Sequence, residues 1–80
     1  MPGAEVEFDL YAHNAHAYLV EVKSHLKTDD VLKFQRKAAF AEVKLGRPLT
    51  RFIIALSMDA KAEALMQRLG IAYQVRATLE

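Results

Sequence analysis

Hydrophobic and polar positions alternate at the start of the chain. Val6, Phe8, Leu10 and Ala12 interleave with Glu7, Asp9, Tyr11 and His13, and a period of two predicts a strand with one face buried. Residues 14–16, Asn-Ala-His, read as a tight turn. Residues 17–24, AYLVEVKS, read as a second strand rich in β-branched and aromatic side chains. Two strands this close in sequence form an antiparallel hairpin. The period then changes. Val31, Phe34, Ala38, Ala41 and Leu45 recur at intervals of three and four, which gathers them on one side of a helix. Thr28 or Asp29 is the expected cap, with acidic Asp30 in the first turn, and Gly46-Arg47-Pro48 is the stop. RFIIALS, residues 51–57, is a continuous apolar run, as expected of a strand buried on both faces. Asp59 then caps a helix with Ala62, Leu65, Met66 and Leu69 as its stripe, closed by Gly70, and residues 71–76 form a last strand. The expected architecture is α/β, a mixed sheet in the order β-β-α-β-α-β, with right-handed crossovers in its parallel part.

Eighty residues fit one small domain, spanning 1–80 with its core at 5–76. A 52% hydrophobic content with three Gly and two Pro excludes a disordered or collagen-like chain. The absence of Cys removes disulfides, thiolate zinc sites and a cysteine nucleophile. No apolar run approaches the length of a membrane span and Met1–Glu5 does not resemble a signal peptide, so a cytoplasmic, non-membrane protein is expected. Leu79-Glu80 matches a vector-derived tail and is given no function. A net charge of +1 does not announce a nucleic-acid binder; only the placement of charges can.

The chemistry concentrates in the hairpin. If Phe8, Val20 and Val22 face the core, the opposite face gathers Glu7, Asp9, Glu21, Lys23 and His25. Residues paired across an antiparallel ladder share a side, so Asp9 joins Glu21 only if the pairing sums are even, which a three-residue loop at 14–16 provides. Asp9 and Glu21 are hard oxygen donors suited to Mg²⁺ or Mn²⁺, with the Val22 carbonyl as a neutral ligand. Lys23 would stand beside a metal-bound water or a phosphate. The same residues would equally make a solvated hairpin face with cross-strand ion pairs. His13 and His16 read as turn residues, and His25 as an incidental or accessory one. Lys33, Arg36 and Lys37 on the first helix can track phosphates or simply solvate it, and Gln35 is a weak polar candidate beside them. The aromatic residues, Phe40 among them, read as core rather than as a base-stacking platform.

Glu7-Phe8-Asp9-Leu10-Tyr11, a turn, then Tyr18-Leu19-Val20-Glu21-Val22-Lys23-Ser24 resembles the PD-(D/E)XK nuclease superfamily, whose signature is an Asp on one strand and Glu-x-Lys on the next. The likeness runs over about residues 5–76 through Asp30, Phe34 and Lys37, RFIIALS and Leu69-Gly70-Ile71, and is to the uncharacterised archaeal and bacterial branch. It implies a restriction-endonuclease-like fold and a metal-dependent endonuclease acting on DNA. Asp9, Glu21 and Lys23 would be catalytic and Mg²⁺ the metal. It also implies a helix and a strand ahead of the Asp strand, where only Met1–Ala4 stand, and Phe8-Asp9 replaces the Pro-Asp of the pattern. The chain is therefore expected to be completed by a longer chain or a partner, and a homodimer is expected from its open hairpin edge. The alternative is a nuclease-fold module without chemistry, used for binding or assembly.

Overall fold

A computed structural model describes the backbone of residues 7–13 and 16–79 and the side chains of 16–79. Strands β1 (Glu7–His13) and β2 (His16–Leu26) are followed by helix α1 (Thr28–Leu45). Strand β3 (Thr50–Asp59), helix α2 (Ala60–Leu69) and strand β4 (Ala72–Leu79) complete the order. The sheet order is β1-β2-β3-β4. β1 runs antiparallel to β2, while β2, β3 and β4 are mutually parallel.

Both crossovers step in the same direction across the sheet, so two right-handed connections place α1 and α2 on the same face, where they touch each other. That layer holds the core. Leu19, Ile53 and Ala55 of the sheet meet Val31, Phe34 and Ala38 of α1 and Ala62 and Met66 of α2, closed off by Leu26, Leu49, Met58 and Ile71. Burying Phe34 or Ile53 completely contributes about 2 kcal/mol each.

The opposite face has no helix among the described residues. Val22, Ile54 and Leu56 stand exposed on it, Leu56 at 60%, so β3 is buried on one face only and not on both. The expectation for the rows of β2 is reversed as well. Ala17, Leu19 and Glu21 are buried under the helices, whereas Val20 and Val22 lie on the open side. Both rows of β2 carry apolar residues, and the hand of the crossovers, rather than the alternation, decides which row is covered.

The helix ends are chemical. The N-cap of α1 is Lys27 rather than Thr28 or Asp29. Its backbone N–H donates to Asp30 Oδ2 at 2.9 Å, so Asp30 serves as the returning acid of a capping box. Gly46 and Gly70 end the two helices at φ 71° and 74°, where a Cβ would be strained. Phe40 points away from the core and is 64% exposed.

Candidate active site

Glu21 and Lys23 are alternate residues of β2, so they share its helix-covered row. With Asp30, Lys33 and Lys37 of α1 they line a cleft of about 180 Å³. Glu21 is the one charged residue in the described core, 3% exposed. Burial pushes its carboxyl up to about 6; the Lys37 and Lys23 charges pull it down only in part, and Asp30 adds to the rise. Lys23 Nζ donates to Asp30 Oδ1 at 2.9 Å. Burial acts to raise the Asp30 carboxyl too. The Lys27 N–H, the Lys23 hydrogen bond and charge, and Lys33 outweigh it and hold the group below its ordinary value. The cleft therefore has one carboxylate that is easily ionised and one that resists ionisation.

Asp9 departs from its expected place. The register pairs Glu7 with Val22, Phe8 with Glu21 and Asp9 with Val20. His13 pairs with His16, so two residues connect the strands and the parity is odd, not even. The backbone position of Asp9 thus falls in the row of Val20 and Val22, on the open face, and that of Glu7 does the same. Their side chains, and residues 14–15 of the expected 14–16 turn, lie outside the described residues, while His16 belongs to β2.

Two accessory candidates are engaged elsewhere. Gln35 Oε1 accepts from Arg51 Nη1 at 2.7 Å, which makes it a link between α1 and β3 rather than a member of the basic face. His25 stands with Nδ1 2.7 Å from Ser57 Oγ and Nε2 2.9 Å from Asp59 Oδ1. A carboxylate only accepts, so the Nε2 that faces Asp59 carries a proton. Lys33, Arg36 and Lys37 do come together, around a shallow groove of about 270 Å³ that they share with Phe40. Asp30 is the site residue that the sequence alone did not bring forward. Its signal was the Lys27-x-x-Asp30 spacing at a helix start, which reads as capping and conceals the reach to Lys23.

The family model of the PD-(D/E)XK nuclease superfamily matches residues 4–72. The chain belongs to the PD-(D/E)XK nuclease superfamily. No curated protein and no solved structure gives a significant match. In this member of the superfamily, the mixed α/β sheet presents Glu21-x-Lys23 on β2, between antiparallel β1 and parallel β3, in a cleft walled by α1. Among the described residues no helix is long and apolar enough to cross a membrane.

Proposed function

We propose that this chain is a metal-dependent nuclease domain that hydrolyses phosphodiester bonds in DNA, with Glu21 and Lys23 at its centre. The observation that carries the reading is the placement of both residues in one cleft with Lys33 and Lys37, in a chain of this superfamily. The donors fit a divalent cation such as Mg²⁺ or Mn²⁺. Glu21 and Asp30 are hard carboxylates in the same cleft, with the Val22 carbonyl next in sequence, and Mg²⁺ is commonly held by one or two carboxylates with waters and phosphate oxygens. Among the described residues no three His, Cys, Asp or Glu side chains are grouped so as to hold a metal, so the reading rests on these two carboxylates and the superfamily pattern. A bound cation would lower the pKa of its water and neutralise charge on a phosphate oxygen.

The chain's own groups supply the rest. Glu21, raised to about 6, would hold a cation in its ionised form, since a metal-ligating carboxyl must be deprotonated. Lys23, held by Asp30 at 2.9 Å, presents an ammonium that orients the attacking water or stabilises charge developing on the phosphate. Asp9 enters the proposal on the superfamily pattern alone, as a ligand that would need β1 shifted by one residue. Lys33, Arg36 and Lys37 carry the phosphate backbone toward the cleft. A homodimer belongs to the same reading, supported by exposed Val22, Ile54 and Leu56 on the open sheet face. Light scattering giving a mass near 9.0 kDa at tens of micromolar would remove it.

Nicking of supercoiled plasmid with Mg²⁺, compared among wild type, Glu21→Gln and Lys23→Ala, tests the activity. The expected result is cleavage by wild type that EDTA abolishes and both variants lack. Cleavage that persists in both variants would place the chemistry elsewhere or in a contaminant.

A further inference from the structure

We propose that Phe40 and the cations around it form a stacking platform for an unpaired base of single-stranded DNA. The inference rests on the nuclease reading only for where the strand goes next, into the Glu21–Lys23 cleft. Lys33, Arg36, Lys37, Phe40 and Lys44 follow one another at intervals of four or less along α1, on the side away from Val31, Phe34 and Ala38. Phe40 is 64% exposed. A lone exposed phenylalanine would mean little. This one lines a shallow groove whose other lining residues, Lys33, Arg36 and Lys37, are all cations. Lys44 Nζ lies over one face of the ring, 5.4 Å from its centroid, which leaves the other face for a base. Lys33 and Lys37 also line the Glu21–Lys23 cleft, so the platform and the candidate active site share a wall.

That combination selects the ligand. An aromatic face beside several cations matches a base with its phosphates, which is how non-sequence-specific single-strand binders work. A duplex keeps its bases inside the stack, where a ring on a helix surface reaches none without flipping one out. A protein helix docking here would instead meet a shallow groove lined by three cations and a single ring.

The test is fluorescence anisotropy with a labelled oligothymidylate of about 15 nucleotides and a duplex of equal length, in EDTA so that nothing is cut. Phe40→Leu, which keeps an apolar side chain but removes the π face, should weaken single-strand binding about tenfold, the loss of one stack. Duplex binding should not change, and Phe40→Trp should restore the affinity. Lys33→Ala with Arg36→Ala should flatten the salt dependence of single-strand binding by about 0.7 in log–log slope for each phosphate no longer neutralised. Phe40→Leu binding oligothymidylate as tightly as wild type would overturn the platform, whatever the nicking assay shows. Equal weakening of duplex would overturn it too, as would a change in self-association in place of DNA binding. Stacking that stands while Lys23→Ala still cuts would leave the platform and remove the nuclease reading.

Discussion

Helix α1 holds an acid–base cluster at each end, and the two behave in opposite ways. Near its C-terminus Glu42 accepts the Leu49 N–H at 2.8 Å on one oxygen and Arg51 Nη2 at 2.9 Å on the other. Arg51 spends its second nitrogen on Gln35. The Leu49 hydrogen bond, with Arg51 behind it, outweighs burial and holds Glu42 below the ordinary carboxyl value. At the N-terminal end the ingredients are again carboxylates and cations, yet burial wins and Glu21 rises to about 6. The first cluster is a fastening: its charges satisfy one another and tie α1 to β3. The second keeps a carboxylate where folding alone gains nothing from it. An ionisable group held at an energetic disadvantage in a cleft is what catalysis requires and stability does not.

The largest expected difference between the clusters is in activity. Lys23→Ala should lower Mg²⁺-dependent nicking a hundredfold or more, on the order of losing one group that stabilises developing charge. Arg51→Ala should leave nicking within a few-fold of wild type, measured at a temperature where both variants are folded. A comparable loss in Arg51→Ala would mean that the two ends of α1 are not separable into fastening and site.

Stability should divide them with the opposite sign. Glu21 has a folded-state value raised above its unfolded one, so the stability it contributes is present at low pH and lost as pH rises from about 4.5 to about 6. The difference corresponds to about 2 kcal/mol. Glu21→Gln should therefore be about 2 kcal/mol more stable than wild type at pH 7.5 in urea titrations, and inactive. Near pH 4 the gain should vanish. Glu42 is depressed, so its contribution is present at neutral pH and lost as pH falls. Glu42→Gln should cost about 1 kcal/mol at pH 7.5. A stabilising Glu42→Gln or a destabilising Glu21→Gln would reverse the contrast.

The elements that the fastening joins were largely legible in the sequence, whereas the fastening itself, Glu42 with Arg51 and Gln35, was not. The Val31–Phe34–Ala38 stripe, Gly46 and Gly70 placed both helices, because helix periodicity and left-handed stops are local. The site was legible as residue types but not as a face. Glu21 and Lys23 stood out, yet the side of β2 they occupy depends on which face the crossovers cover, and Leu19 and Val20 are equally good core residues. The Asp9 register depends on one residue more or less in the hairpin connection. Phe40 reads with the core aromatics, although helix spacing already sets it apart from Val31, Phe34 and Ala38.

The smallest effect, and the finest test of the contrast, belongs to Asp30, which takes part in both kinds of work. One of its oxygens caps α1 through the Lys27 N–H, and the other holds Lys23. Asparagine keeps an oxygen able to cap but loses the charge, so Asp30→Asn should cost under about 1 kcal/mol, as a partly exposed ion pair does. Its effect on the neighbour is directional. Asp30 is one of the causes that raise Glu21, and its neutralisation also leaves the Lys23 ammonium without its anionic partner. Both changes favour the ionised form of Glu21. Carboxyl carbon NMR should then show Glu21 titrating below about 6 in Asp30→Asn. The pH dependence of nicking should move to lower pH with it, even where the rate at its maximum is reduced. A Glu21 titration that stays in place would mean that burial alone sets it and that Asp30 is only a cap.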